Sequence, residues 1–275
     1  MNILILGGDL RYLEIIDNLS VKNNVDVVGY KNTYINDKVN KINLDEVCID
    51  KYNSIIFPVN GVMDDNFIRC RFNNTSIRLD DDFLVGCRKD CLIFSGISTP
   101  NLDKLLRNAS MDCIYMMNDK EVVRSNSIPT VEGIIADIVL NTDITINDSR
   151  VLVFGYGNIG KVLVKYLNLL GAHVTVSVIE PDDKKVLDSL GISCFYSNDI
   201  IVNTVPNTVI DNSLIKYINR SCYVLDISSH PHGIDREVLD EFFIENKLYL
   251  GIPGKVAPKT SGKILIKKIN QVMGD

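Results

Sequence analysis

Short runs of consecutive apolar residues alternate along the chain with segments in which apolar residues recur at helical spacing. Residues 3–6 form the first such run and predict a strand that is buried on both faces. Leu10, Leu13, Ile16 and Leu19 then follow at the spacing of an amphipathic helix. Strands that alternate with helices in this way favour a parallel sheet between two layers of helices. Further apolar runs of the same kind lie at residues 25–28, 54–59 and 91–94.

A second unit of strand, glycine-rich loop and helix occupies the middle of the chain. An apolar run at 150–154 is followed by the loop G-Y-G-N-I-G at 155–160, a helical pattern at 161–170 and another apolar run at 173–178. A complete β-α-β unit of about 30 residues has this pattern. The fold class is therefore α/β, with two doubly wound parallel-sheet domains, the second of the Rossmann type. Further strands are predicted at residues 200–205, 223–227 and 248–250.

A predicted helix at residues 127–140 separates the two sets of strands. Pro129 lies near its predicted first turn, where proline is tolerated. No run rich in Gly, Ser or Pro marks a flexible linker. We therefore expect an N-terminal α/β substrate domain at residues 1–125 and a Rossmann dinucleotide-binding domain at residues 126–255. The amphipathic tail at 256–275 is expected to return to the first domain as a helix.

Each glycine of the 155–160 loop has a physical role in a dinucleotide site. Gly155 permits the tight turn from strand to helix, Gly157 lets the backbone approach a pyrophosphate, and Gly160 lets the helix pack closely on the strand. The N–H groups and the positive dipole end of the helix then bind the phosphates. The alternative is a Rossmann-like unit that has lost its ligand. The other residues of the predicted cofactor-binding loop are Tyr156, Asn158 and Ile159.

Further cofactor contacts are expected where later strands of this domain end, because the carboxyl ends of parallel strands face the ligand crevice. Val178 stands where NAD enzymes usually carry an acid for the ribose 2′-hydroxyl, and the nearest acid is Glu180. A valine neither repels a 2′-phosphate nor pairs with it, so NAD and NADP both remain open as cofactors. The residues predicted to line the nicotinamide half have an alternative interpretation as ordinary strand-end turns, in which Pro, Asn and Ser are common. That lining consists of Thr204, Pro206 and Ser228, and Asp226 is also predicted to bind the cofactor.

Composition narrows the classes of function. The 275-residue chain is 46% hydrophobic and 23% charged, as in folded proteins, and its formal net charge of −6 argues against nucleic-acid binding. No apolar run approaches the roughly 18 residues that span a bilayer, and the N-terminus runs into a strand rather than a signal peptide. The seven cysteines form no C-x-x-C pair and no histidine lies at zinc spacing from them. This pattern favours reduced thiols in the cytoplasm and no metal site.

Four sequence segments occur in a distinctive order around the Rossmann unit. They are G-G-D-x-R-x-L-E-I at 7–15, F-S-G-I-S at 94–98, N-S-I-P-T-V-E-G at 126–133 and P-G-x-V-A-P-K-T-x-G at 253–262. In these segments, and essentially from end to end, the chain resembles the A subunits of dipicolinate synthase. The wider architecture is similar to that of 2-hydroxyacid dehydrogenases and adenosylhomocysteinase.

The resemblance implies an NAD(P)-dependent oxidoreductase that makes dipicolinate (pyridine-2,6-dicarboxylate) from a dihydrodipicolinate-level product of the lysine pathway. It also implies that the chain acts together with the flavoprotein-like B subunit of dipicolinate synthase. The implied location is the cytoplasm of the mother cell in a sporulating bacterium. We expect a small dicarboxylate substrate and a homo-oligomer. Two alternatives remain open: a 2-hydroxyacid-dehydrogenase-like enzyme acting on another small acid, and a non-catalytic protein that only binds a nucleotide within the complex.

The substrate residues implied by the resemblance lie in the same four segments. Lys259 and Arg11 each begin a predicted helix and are expected to pair with a substrate carboxylate, with solvated surface charges as the alternative. Backbone N–H groups beside Gly96 are expected to meet an anion. The predicted start of the helix at 127–140 offers either a second anion site or simple helix caps. The substrate-binding residues predicted in full are Arg11, Ser95, Gly96, Ser98, Asn126, Ser127, Thr130 and Thr260.

The predicted catalytic residues are Lys259, Glu132 and His230. Glu132, in the predicted first turn of the helix at 127–140, either accepts the ring proton or only complements the helix dipole. His230 departs from the family pattern, which carries an arginine in the segment after the fifth strand of the second domain. A histidine cannot form the bidentate fork of an arginine. We therefore expect His230 to act as a weaker cation or a proton carrier, unless another residue holds the acid.

Overall fold

Two separate parallel sheets organise the chain. The structure is a computed structural model that describes residues 1–31, 35–72, 77–177, 197–212 and 214–274. The first unit consists of Met1–Asn126 and Ala257–Asp275, and the second unit is Ser127–Val256. Both are α/β, as predicted from the sequence. The assignment of the substrate to the first unit and of the dinucleotide to the second stays a prediction.

The sheet of the first unit has six parallel strands. They are β1 (Asn2–Leu6), β2 (Asn24–Val28), β3 (Val39–Ile42), β4 (Ser54–Ile56), β7 (Leu92–Ser95) and β8 (Ile114–Tyr115). Their order is β3-β2-β1-β4-β7-β8, and a separate antiparallel pair is formed by β5 (Phe67–Ile68) and β6 (Ile77–Arg78). The central strands are buried on both faces, which explains their continuous apolar sequences. Edge strand β3 was not predicted, since its V-N-K-I sequence lacks such a run.

Helices cover both faces of this sheet. One face packs against α1 (Arg11–Leu19) and the C-terminal helix α7 (Pro258–Met273), and the other packs against α2 (Pro100–Ala109). A Cβ atom added to Gly262 would lie only 2.7 Å from the carbonyl oxygen of Arg11, so the glycine permits α7 to pack closely on α1. The predicted return of the C-terminal helix to the first unit is confirmed.

The second unit is built on a five-stranded parallel sheet. Its strands are β9 (Arg150–Phe154), β10 (His173–Ser177), β11 (Ile200–Asn203), β12 (Tyr223–Asp226) and β13 (Asn246–Leu248), in the order β10-β9-β11-β12-β13. Apolar clusters lie on both of its faces, which confirms the doubly wound architecture. Its described helices include α4 (Asn158–Leu169), α5 (Arg236–Glu241) and α6 (Ile252–Val256).

Strand β13 lies two residues before its predicted position at 248–250. Its register pairs Asp226 with Leu248, so Asn246 and Lys247 enter the sheet despite their polarity. Both polar side chains are satisfied there: Asn246 donates to Asp240, and the Lys247 ammonium pairs with Asp137. The prediction was wrong because apolar content alone does not show which residues pair with β12.

Helix α3 spans Lys120–Asn141 and begins seven residues before the predicted helix. The Asp119 carboxylate accepts hydrogen bonds from the N–H groups of Glu121 (2.8 Å) and Val122 (3.1 Å), which is an N-terminal cap. Pro129 therefore lies in the helix interior, where it offers no N–H to the preceding turn. The boundary between the two units also falls inside α3, after Asn126.

This correction changes three predicted roles. Asn126, Ser127 and Thr130 are buried in the interior of α3, so they neither cap the helix nor form an anion site at its start. Glu132 is exposed in the fourth turn of α3 and cannot complement the N-terminal dipole. Within the described ranges, no helix is both long and apolar enough to cross a bilayer, and no three His, Cys, Asp or Glu side chains cluster to hold a metal ion.

Candidate functional site

The glycine loop of the second unit turns sharply from β9 into α4. Gly155 has a φ of +94°, a conformation that favours glycine, and its N–H donates to the carbonyl of Ser177 at 2.9 Å. A Cβ at Gly155 would overlap the Thr204 hydroxyl, and a Cβ at Gly160 would overlap the Gly155 carbonyl oxygen. The turn and the close approach of helix to strand therefore require both glycines.

Gly157 is different because packing within the protein does not require it. An added Cβ would have no heavy atom of the described residues within 4 Å, and Gly157 immediately precedes α4. The empty volume beside Gly157 lies next to the N-terminus of α4, where the first N–H groups of a helix attract phosphate. Tyr156 and Asn158 are exposed beside it, and Lys161 lies with its ammonium 5.8 Å from the Tyr156 ring centre. This loop fits the pyrophosphate of a dinucleotide.

The strand ends near this loop contain a buried hydrogen-bonded turn. Asp226, which is 1% exposed, accepts hydrogen bonds from the Asn203 amide at 2.9 Å, the Ser228 N–H at 2.9 Å and the Gly233 N–H at 3.1 Å. Its carboxylate therefore holds the 226–233 loop in place. Ser228 is 3% exposed, and its hydroxyl has no hydrogen-bond partner among the described residues. A buried hydroxyl without a partner is a candidate contact for a ligand.

The other predicted residues of this unit are more exposed. Thr204 donates its hydroxyl hydrogen to the Phe154 carbonyl at 2.8 Å, and Pro206 is exposed beyond it. His230 is exposed, and its ring meets that of His232 edge to face at 5.7 Å between centres. His232 is fixed in turn by a 2.9 Å contact between its Nδ1 atom and the Ser228 carbonyl. Val178, the predicted ribose contact, lies outside the described residues.

In the first unit, Arg11 is 7% exposed and is held by Asp9, which is not among the predicted site residues. Its Nε and Nη2 atoms donate to the two carboxylate oxygens of Asp9, at 2.9 and 2.7 Å. Burial opposes ionisation of Asp9, but these hydrogen bonds and the Arg11 charge hold its pKa below the ordinary value. The D-x-R spacing was the signal that could have identified the pair.

The loop after β7 contains the next predicted residues. The Ser95 hydroxyl is buried and donates to the Ile97 carbonyl at 3.0 Å, while the Ser98 hydroxyl donates to Asp103 at 2.6 Å. A Cβ at Gly96 would overlap the backbone of Val59, so this glycine brings the loops after β4 and β7 together. Both serine hydroxyls thus have structural partners in the protein.

Lys259 and Thr260 begin the C-terminal helix α7. Pro258 occupies the first position of that helix and fixes the direction of its entry. Both side chains are exposed, and no described residue pairs with the Lys259 ammonium. Among the described residues, no hydrogen bond or ion pair commits the Lys259 or Thr260 side chain to a structural role.

The fold is that of the dehydrogenase-like Rossmann proteins. It has parallel sheets, polar residues at the strand ends and a glycine loop in which the space beside Gly157 is empty. The fold is shared with the transhydrogenase of Sinorhizobium meliloti, at 13% identity and a TM-score of 0.65, over 99% of this chain and 94% of that one. The family described as the N-terminal domain of the dipicolinate synthase A subunit matches residues 2–117.

Two relatives match over the whole length. The A subunit of dipicolinate synthase from Bacillus subtilis is 30% identical over 292 residues, covering 100% of this chain and 96% of the relative. The crystal structure of the dipicolinate synthase A subunit from Bacillus halodurans has a TM-score of 0.91 at 29% identity, covering 100% of this chain and 98% of that one. The chain belongs to the family of dipicolinate synthase A subunits.

Proposed function

We propose that the chain works as the A subunit of a dipicolinate synthase and oxidises, with NAD or NADP, a dihydrodipicolinate-level intermediate of the lysine pathway to dipicolinate during sporulation. The observation that carries this proposal is the end-to-end likeness to the Bacillus halodurans protein, with a TM-score of 0.91. The open space at Gly157 supports it independently, because an oxidoreductase of this fold needs a pyrophosphate site there.

The residues of the second unit fit a nicotinamide dinucleotide. When bound, the cofactor accepts a hydride from the substrate. The N–H groups at the start of α4, beside Gly157, would hold the pyrophosphate. Thr204, Pro206 and Ser228 are the proposed contacts of the nicotinamide half. We assign Asp226 the role of holding this loop in shape, since its carboxylate already accepts three hydrogen bonds from the protein.

The substrate and its product are small dianions, so an enclosed site must supply positive charge and hydrogen-bond donors. Lys259 and Arg11 are the proposed cations. Lys259 has no competing partner among the described residues, whereas Arg11 shares its charge with Asp9. We therefore expect Lys259 to supply more of the electrostatic attraction. We expect Arg11 to orient the substrate carboxylate, because Asp9 fixes the position of its guanidinium. Thr260 is proposed as a further contact, whereas the Ser98 hydroxyl already donates its hydrogen to Asp103.

Oxidation of the ring also requires loss of a proton. Glu132 and His230 are the proposed acceptors, and both side chains are exposed in the structure. Formation of the aromatic ring supplies much of the driving force, so a weak and well-placed base suffices. We further propose that the chain works with the flavoprotein-like B subunit, as a homo-oligomer in the cytoplasm of the mother cell.

The proposal is tested by following reduced nicotinamide absorbance when the purified chain meets the lysine-pathway product and NAD or NADP, with and without the B subunit. Formation of dipicolinate in step with cofactor reduction is the expected result. The Gly157→Val variant is the matched control, because it changes the cofactor loop at a position without packing contacts. Absence of turnover in both the free chain and the complex, with intact folding, would refute the proposed reaction.

A further inference from the structure

Two donors on the first unit lack acceptors among the described residues. The Nδ2 atom of Asn60 is buried and has no hydrogen-bond partner among the described residues. Arg11 is nearly buried, yet in the same described ranges its only hydrogen-bonding partner is Asp9, which occupies Nε and Nη2. The Nη1 edge of the guanidinium therefore has no acceptor there. A buried donor without an acceptor, such as the Asn60 amide, points to a ligand that supplies one, and the Nη1 edge of Arg11 is available to the same ligand.

Both donors follow neighbouring strands at the same edge of the sheet. Arg11 comes after β1 and Asn60 after β4, and these strands pair in parallel with Ile5 opposite Ile56. Tyr12, beside Arg11, ties the two loops together, because its hydroxyl donates to the Phe57 carbonyl at 2.7 Å. The two loops are thus held together next to the two donors.

The turn that carries Asn60 is itself fixed. The N–H of Gly61 donates to the Pro58 carbonyl at 2.9 Å and closes a four-residue turn with Asn60 in its third position. Gly61 has a φ of +66°, and it packs so closely on Thr99 that an added Cβ would lie 2.9 Å from that side chain. The Asn60 amide is therefore presented by a rigid turn, as a specific binding group needs to be.

Two arginine charges act on the Asp9 carboxylate at this edge, although the chain carries a net charge of −6. Arg69 and Arg71 flank the first glycine loop: the Gly8 N–H donates to the Arg69 carbonyl and the Arg71 N–H donates to the Gly8 carbonyl, both at 2.9 Å. The charges of Arg11 and Arg71 both favour the ionised form of Asp9. One carboxylate thus lies within the influence of two arginine charges, and the excess positive charge attracts a further anion.

We propose that the Asn60 amide and the open Nη1 edge of Arg11 form one carboxylate-binding pocket on the first unit. An amide N–H and a guanidinium edge suit the two oxygens of a carboxylate, and the pocket takes one carboxylate of a small planar dicarboxylate. The inference rests on the proposed function for the identity of that dicarboxylate, but the pocket itself follows from the donors.

The test is calorimetric titration of the full chain with dipicolinate and, separately, with malonate. Asn60→Leu removes the donor at similar size, and we expect its dissociation constant for dipicolinate to rise about tenfold. Asn60→Asp places a negative charge at the same point, and we expect a rise of about a hundredfold. The matched control is Asn18→Asp, an exposed position on α1 where an aspartate still accepts the hydrogen bond from Asn270. We expect it to change affinity less than about twofold.

A double-mutant cycle tests whether Arg11 and Asn60 hold the same group. Arg11→Lys keeps a charge for Asp9 but loses the fork. If one carboxylate bridges both residues, the loss in the double variant is smaller than the product of the single losses. Circular dichroism and affinity for NAD or NADP, which should stay unchanged, establish that each variant is folded.

The outcomes separate the pocket from the proposed function. Asn60 variants that are folded and bind dipicolinate like the wild type overturn the pocket and leave the proposed function standing. A wild type that binds malonate, with weakening in the Asn60 variants, but does not bind dipicolinate supports the pocket and overturns the proposed substrate. A wild type that binds neither acid overturns both.

Discussion

The contrast between Gly157 and Gly160 gives the sharpest prediction about the second unit. An added Cβ at Gly160 would overlap the Gly155 carbonyl oxygen, whereas one at Gly157 has no heavy atom of the described residues within 4 Å. Gly160→Ala should therefore lower the free energy of unfolding by about 1–3 kcal/mol, as overpacked substitutions do. Gly157→Val should change it by less than about 1 kcal/mol, because φ at Gly157 is −79° and suits any residue.

For dinucleotide affinity we expect the opposite order, with the larger loss in the Gly157→Val variant. Valine at position 157 fills the space in which the pyrophosphate would approach the α4 N-terminus, so we expect a loss of at least about 2 kcal/mol in dinucleotide affinity, or roughly thirtyfold. Affinity is measured by fluorescence titration with NADH and NADPH, and unfolding by circular dichroism in urea. A folded Gly157→Val variant with wild-type affinity for both dinucleotides would refute the assignment of this loop.

Three further predictions concern single side chains. Asp226→Asn should lower the free energy of unfolding in urea by about 2–3 kcal/mol, because the buried carboxylate accepts three hydrogen bonds and the amide replaces one of its acceptor oxygens by a donor. A decrease of less than about 0.5 kcal/mol would contradict the structural role of Asp226. Lys259→Met should cost about 2–4 kcal/mol in kcat/KM for the dicarboxylate substrate while cofactor affinity stays within a few-fold, and unchanged turnover would make Lys259 a surface charge. The pKa of Asp9 is lowered in the folded state, so ionised Asp9 stabilises the fold at pH values above its unfolded pKa of about 3.9. This stabilisation is lost as the pH falls through the folded pKa. Asp9→Asn should accordingly be less stable than the wild type at neutral pH, with a difference that shrinks in acid, and a difference independent of pH contradicts the ion pair with Arg11.

The strands were predictable because of how parallel sheets are buried. A strand covered on both faces needs an unbroken apolar run, and β1, β4 and β9 have such runs. The glycine loop was also accessible, because the turn requires a positive φ at Gly155 and Gly160 lies against the Gly155 carbonyl oxygen. These features depend on residues near each other in the chain, so the sequence alone determines them.

The start of α3 shows where local patterns mislead. Pro129 suggested a helix beginning beside it, but the Asp119 cap begins the helix earlier and the long helix tolerates the proline inside. The position of β13 likewise depended on pairing with β12 and on the contact of Lys247 with Asp137, which are 110 residues apart. The start of α3 was thus decided by one local signal over another, whereas the position of β13 was decided by contacts between residues that are distant in the sequence.

The candidate site divides in the same way. The amino-acid sequence alone indicated which motifs carry cations, hydroxyls and glycines. Only the tertiary structure decided which of them have partners: Arg11 is held by Asp9, Asp226 is committed to its own loop, and the Asn60 amide is left without an acceptor among the described residues. Burial and hydrogen bonding depend on what the folded chain brings next to each side chain, and for Asn60 no pattern in its own neighbourhood of the sequence reveals it.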